Sequence, residues 1–342
     1  MTRVADFRSD TVTRPTAAMR AAMAAAAVDD DVLAHDPTTL ALEHEGARLL
    51  GKEGALFMPS GTMCNLVALL THTQPGDQVI TEQWAHTACF EGGGAGMFAH
   101  VLVRTLASER GLPEPELVRR WMLPRSEHTP GTSLVCLEQT HNFHGGALLP
   151  HDGVRAVAEV AHAGGAKLHL DGARLFNAAA ASGLAPAELA APADSVSVCL
   201  SKGLCAPVGS LLAGDAEFLR RARFHRKRLG GGMRQSGVIA AAGLVALREM
   251  RTRLAEDHAL ARRLAEGVAA LPGYDVDPSA VDTNILFVGT GTRDAAAIVA
   301  AAAEEQILLY ATGPHRIRFV THHDVGADDV ARLLSLLRRH AA

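Results

Sequence analysis

Between residues 55 and 214, short apolar runs alternate with helical stretches, and four of the runs end in polar, reactive side chains. No other feature of the chain limits its fold as strongly. Residues 55–59 read as a short strand that turns through Ser60-Gly61-Thr62 into a helix over 63–71. Strands over 78–81 and 101–105 follow. Another over 133–138 ends at Gln139-Thr140-His141-Asn142. A helix over 152–163 leads to a strand over 167–170 and to Asp171-Gly172-Ala173-Arg174. The strand over 195–200 runs into Ser201-Lys202-Gly203, and 208–214 reads as one more. Strands alternating with helices predict a mainly parallel sheet with helices on both faces. In such a sheet ligands bind at the carboxyl ends of the strands. Ser60 and Thr62, His141, Asp171 and Lys202 would all stand at that edge.

The flanks are simpler. The opening stretch 6–15 is too polar for a core strand, and helices are expected from Thr16 and from Pro37, with a surface helix over 113–120. Helices over 236–250 and 253–271 lead away from the sheet. Strands over 283–288 and 317–321, with helices over 294–305 and 327–339, repeat the pattern on a smaller scale. The expected division is an N-terminal arm and large domain over 1–245 and a small C-terminal α/β (α+β) domain over 246–342. A length of 342 residues gives ample core for both.

Composition excludes several classes. A formal charge of −4 implies no basic face for nucleic acid. The five cysteines lack CxxC spacing, and no apolar run reaches membrane length. A soluble, reducing, cytoplasmic setting is expected.

Taken alone, Lys202 after a strand is a solvated loop lysine, and Ser60-Gly61-Thr62 is as much a plain helix cap as a phosphate cradle. Together with Asp171 they match what pyridoxal 5'-phosphate (PLP) requires. That cofactor needs an amine for its aldehyde, a carboxylate beside its pyridine nitrogen, and a phosphate cradle. It also needs a flat cover, and with aromatics at 4% His86 is the natural ring.

The stretches 6–15, 59–62, 138–142, 169–177, 200–204, 230–237 and 318–322 carry a resemblance to the low-specificity L-threonine aldolases, PLP enzymes of the β-eliminating-lyase superfamily. The resemblance implies the aspartate-aminotransferase fold, with a mainly parallel seven-stranded sheet. It implies Lys202 as the Schiff-base lysine, Asp171 as the pyridinium partner, His86 stacked on the ring, and Gly61 and Thr62 at the phosphate. Ser9, Arg174 and Arg318 would hold the substrate carboxylate, for which paired guanidinium groups suit. Arg316 shares a strand face with Arg318, and only the family pattern selects Arg318. Arg234, with Lys227, would reach the phosphate of a neighbouring subunit, which implies a homo-oligomer, a dimer of dimers. The implied reaction is retro-aldol cleavage of L-threonine or L-allo-threonine to glycine and acetaldehyde. Its base is His86, His141 or a bound water. Rival outcomes at the same cofactor are β-elimination, racemisation and hydroxymethyl transfer. A nucleotide-binding domain fails on GxGxxG spacing.

The chain departs from that family in places. Leu33-Ala34-His35 stands where a tyrosine and an acid are usual. Cys205 replaces a common glycine, which suggests that a left-handed backbone is not needed there. His322 and His323, adjacent on a strand, would point to opposite faces, so no catalytic metal is expected.

Overall fold

The structure, a computed structural model, describes residues 3–341. Seven strands form one sheet: β1 (Gly54–Met58), β2 (Gln78–Glu82), β3 (Leu102–Leu106), β4 (Thr132–Glu138), β5 (Lys167–Asp171), β6 (Ser195–Cys199) and β7 (Ser210–Gly214). Their order is β1-β7-β6-β5-β4-β2-β3. Only β7 runs antiparallel to its neighbours, β1 and β6, as the expectation of a mainly parallel sheet allows. Every residue of β2, β6 and β7 is buried, which explains why these strands read as runs of small and apolar residues. At the edge, β3 exposes four of its five residues, and Arg104 covers Trp121 at 4.3 Å.

Helices α1 (Ala17–Ala24), α2 (Pro37–Leu50), α3 (Gly61–His72), α4 (His151–Ala163), α5 (Ala216–Arg228) and α6 (Gly237–Arg248) accompany this sheet. Asp36 caps α2 by accepting from the Thr39 N–H at 2.8 Å, with Pro37 in the first turn. The sequence gives no sign of α5, because its arginines obscure the apolar stripe. One of them, Arg226, is buried and replaces apolar packing with polar contacts. It lies 3.1 Å from Asp31 and donates to the Phe57 carbonyl at 2.9 Å.

A second core gathers Ala5 and Phe7 with residues from Ala261 to Ala341, separate from the large core that runs from Met19 to Leu254. Its sheet is antiparallel, with β8 (Ile285–Gly289), β9 (Tyr310–Gly313) and β10 (Arg316–Val320) in the order β9-β10-β8. Helices α7 (Leu254–Ala269), α8 (Ala295–Glu304) and α9 (Ala327–Arg339) pack around it. No helix among the described residues is long and apolar enough to cross a membrane.

Three expectations are corrected. The opening stretch does contain a strand, since Ala5–Asp6 pairs in parallel with Ile307–Leu308. Side chains alternate there, so Ala5 and Phe7 turn fully inward while Asp6 faces out to Arg8. Cys205 does adopt a left-handed backbone, at φ 64°. The turn that closes with its N–H on the Lys202 carbonyl at 2.9 Å imposes this, at a cost of about 1–2 kcal/mol for a residue with a Cβ. Its thiol is buried and pushed up to about 12 by that burial, so it packs rather than reacts. Finally, His322 and His323 lie beyond β10. His322 is buried and donates from Nε2 to the Asp6 carbonyl at 2.7 Å, whereas exposed His323 faces Asp324.

Candidate active site

The carboxyl ends of β2, β4, β5 and β6, the start of α3, the N-terminal arm and β10 meet around a cavity of about 550 Å³. Ser9, Gly61, Thr62, His86, Asp171, Arg174, Lys202 and Arg318 all line it.

Ser60 caps α3, accepting from the Met63 N–H at 3.1 Å. The N–H groups of Gly61 and Thr62 in that first turn have no intrahelical acceptor and carry the positive end of the helix dipole. Gly61 lies so near β6 that a Cβ would sit 2.8 Å from Cys199 Sγ. The Ser60 cap thus leaves bare N–H groups facing the cavity, an arrangement suited to an anion.

Asp171, at the end of β5, is buried, and Asn65 of α3 donates to its Oδ2 at 2.7 Å. Burial alone would raise its carboxyl. The charges of His86 and Lys202 and the Asn65 amide outweigh it, holding Asp171 below the usual carboxylate range. Behind Asn65 runs a buried chain of hydrogen bonds. His169 Nε2 reaches Asn65 Oδ1 at 3.1 Å, His169 Nδ1 reaches Ser195 Oγ at 2.9 Å, and Ser195 Oγ meets His72 Nε2 at 2.8 Å. Burial keeps His169 neutral, pushing it down to about 4.

His86 begins a short helical turn, its N–H held by Glu138 Oε2 at 2.6 Å. Its Nδ1 lies 2.8 Å from Glu91 Oε1, which also accepts from Asn65 at 2.7 Å. Burial would depress His86, but Glu91 and Asp171 raise it, while burial pushes Glu91 up as well. The Nδ1 contact with Glu91 fixes the orientation of the ring and leaves Nε2 outside that pair.

Arg174 donates from Nε and Nη2 to the two carboxylate oxygens of Asp10, at 2.7 Å each, and both side chains are buried. Arg318 donates to the Arg8 carbonyl at 2.9 Å. Asn142 Oδ1 joins the arginines, accepting from Arg174 Nη1 at 3.3 Å and Arg318 Nη1 at 3.4 Å. Arg318 Nε is buried without a partner. Burial and the neighbouring Arg174 charge both lower the Arg318 pKa, an environment in which an anion beside the two guanidinium groups is favoured. Arg316 turns to the aromatic rings instead, 3.7 Å over Phe287.

Not every expected residue arrives here. His141 is fully buried and does not border the cavity. Arg234 is paired with Asp30 at 2.8 Å on the surface, and Lys227 is exposed on α5. The cavity wall also includes Phe90, Phe143, Phe287 and Tyr310, a gathering of rings that low aromatic content does not foretell. Asn65, Glu91, Asn142 and Asp10 are further members that sequence reasoning passes over. Asp10 and Asn142 left a trace, inside the stretches 6–15 and 138–142.

These residues fit PLP on the structure's own terms. A helix start too tight for any Cβ faces the cavity, a buried anionic carboxylate stands at its floor, and Lys202 lines the same space. The unpartnered Nε of Arg318, beside Arg174, suits an anion in the same space.

Known proteins agree. The family model for β-eliminating lyases matches residues 6–290. Low-specificity L-threonine aldolase 1 of Arabidopsis thaliana is 45% identical, over 98% of this chain and 96% of its own length. The low specificity L-threonine aldolase of Escherichia coli K12 is 42% identical, over 98% and 99%. A solved threonine aldolase from Leishmania major superposes with a TM-score of 0.86 at 21% identity, over 99% of this chain and 100% of that one. The fold is also that of the aspartate aminotransferase from Rhizobium meliloti, with a TM-score of 0.70 at 14% identity. The chain belongs to the β-eliminating lyase family and, within it, to the low-specificity L-threonine aldolases.

Proposed function

We propose that the protein is a cytoplasmic, PLP-dependent aldehyde-lyase that cleaves L-threonine, L-allo-threonine and related β-hydroxy-α-amino acids to glycine and an aldehyde such as acetaldehyde. The observation that carries the reading is the unpartnered Nε of Arg318, buried beside Arg174 in the cavity that Lys202 and Asp171 share.

Lys202 would supply the amine that attaches the cofactor, Gly61 and Thr62 would seat its phosphate, and His86 would provide a flat group for its ring. Bound PLP supplies an electron sink for the pair released when Cα–Cβ breaks. Asp171, kept ionised, would be the carboxylate partner of the cofactor's pyridine nitrogen and would favour its protonated form. Arg174 and Arg318, with the Ser9 hydroxyl, grip the substrate carboxylate and so fix which Cα bond is aligned for cleavage. The β-hydroxyl proton passes to His86 Nε2, directly or through one water, and the aldehyde leaves as that bond breaks. His86 is preferred to His141 because it borders the cavity and His141 does not. A proton returned to Cα then gives glycine.

The same reading makes Arg234 and Lys227 phosphate contacts for a neighbouring subunit in a dimer of dimers. Both are exposed and away from their own cavity. It divides the chain into an arm and large domain over 1–245 and a small domain over 246–342.

The test is purified protein with PLP and each threonine diastereomer. Acetaldehyde and glycine in equal amounts are expected. Pyruvate and ammonia from L-serine at a comparable rate, without aldehyde from threonine, would replace the aldolase reading with β-elimination.

A further inference from the structure

Outside the cavity, at the neighbouring ends of β2 and β4, three metal-ligating side chains converge. Glu82 ends β2, and His141 and His144 stand on the turn that follows β4. His141 Nε2 lies 2.9 Å from Glu82 Oε2, and His144 Nε2 lies 3.3 Å from Glu82 Oε1. Their ligand atoms all fall within 4.8 Å of one another. Glu82 and His141 are fully buried, and the His144 side chain keeps 17% of its surface.

Ion pairing alone does not account for this arrangement. Although His141 Nε2 is close to the carboxylate, it is not aligned to donate to it, and this buried ring has no hydrogen-bond partner at either nitrogen. Such a group normally costs about 1–3 kcal/mol. A cation between the three side chains would satisfy Nε2 and both partners at once. Two imidazoles and a carboxylate with a free fourth position form a zinc-type ligand set. Bonds near 2.0–2.1 Å give tetrahedral edges of about 3.3 Å, close to the two short separations seen.

The ligands are also held in advance. Gly111 backs onto the His141 ring so closely that a Cβ would lie 2.7 Å from it. Glu82 is fixed by the Trp84 N–H at 2.6 Å and the Ser108 hydroxyl at 3.1 Å. His144 borders a second cavity, of about 280 Å³, which gives an ion a way in.

We propose that Glu82, His141 and His144 bind one divalent cation of the zinc class at a structural site distinct from the reaction centre. Between the two histidines lie Asn142 and Phe143, both on the active-site wall. Asn142 Oδ1 accepts from Arg174 and Arg318. The metal therefore braces the turn that aligns the carboxylate-binding arginines.

The experiment is calorimetric titration of zinc(II) alone into chelator-treated holoenzyme, with cobalt(II) in parallel to report ligand geometry. One equivalent per chain, a raised Tm and a tetrahedral cobalt absorption band are expected. His144→Gln, the partly exposed and therefore safest change, should weaken binding at least tenfold and remove the band, and Glu82→Gln should do the same. Absence of saturable binding, or binding equally tight in H144Q, overturns the site. Neither readout depends on catalysis, so the result stands apart from the reaction assigned above.

Discussion

Arg174 and Asp10 share two hydrogen bonds of 2.7 Å in a buried, two-pronged ion pair, which fixes the plane of the guanidinium. The third nitrogen, Nη1, is thereby turned toward Asn142 and the cavity. Removing one partner of such a pair strands a buried charge, at about 3–5 kcal/mol. Asp10→Asn should lower Tm and reduce kcat/KM about 100-fold, mainly through KM, since the arginine loses its alignment. Steady-state kinetics and thermal melts check both. A KM within twofold of the parent would remove Asp10 from the carboxylate grip.

Arg318 should not tolerate lysine. An ammonium keeps the charge but cannot present a planar fork to a carboxylate. Arg318→Lys should raise KM for threonine about tenfold or more and leave the absorbance of bound cofactor intact. Lost cofactor binding would mean that Arg318 serves PLP rather than substrate.

Lys202→Ala should leave PLP dialysable. Borohydride treatment should then add no cofactor mass to the chain, and turnover should fall at least about 1000-fold. A variant that still retains PLP covalently would require a different lysine.

Gly61→Ala tests the cradle without touching charge. The added methyl meets Cys199 Sγ at 2.8 Å, and overpacking of this kind costs about 1–3 kcal/mol. PLP affinity should fall roughly 10- to 100-fold in equilibrium dialysis, while KM at saturating PLP changes little.

Stability should decline with acid in a window set partly by His169. Buried, its pKa is pushed down to about 4, against an ordinary 6.5. As pH falls below 6.5 the unfolded chain takes up the proton and the folded one does not. The contribution is complete above 6.5 and disappears on the way to 4, a loss on the order of 3 kcal/mol. Urea unfolding between pH 7 and 4.5 should show His169→Asn with a slope shallower by up to about one proton. An unchanged slope would mean that His169 is protonated in the folded protein.

What the sequence revealed follows from where each interaction is made. Lys202, Asp171 and Thr62 were legible as cavity residues because each stands at or a few residues past the carboxyl end of a strand, and a parallel sheet sends successive strand ends to one edge. Asn65 was not. It sits mid-helix in α3 and acquires its role only when that helix crosses Asp171. Glu91 likewise matters through its contact with His86, which no spacing rule encodes. Helix α5 was missed for a compositional reason, since Arg226 is buried through Asp31 rather than through apolar neighbours. The left-handed Cys205 was misread because the turn geometry outweighed the residue's own preference. His141 stood at the right strand end but turned away from the cavity, toward Glu82.

The arm that supplies Ser9 and Asp10 is pinned by Ile307, Leu308 and the second core. Arg8 and Arg318, which share a hydrogen bond, are 310 residues apart. A ribosome therefore releases the arm long before the strands that will hold it. The large sheet can form on the nascent chain, with Lys202 and Asp171 already at its edge. The proposed carboxylate grip cannot be completed until β10, with Arg318, has left the exit tunnel. Contacts of such long range also form slowly, so a stalled or prematurely released chain would carry Lys202, Asp171 and Arg174 without Arg318.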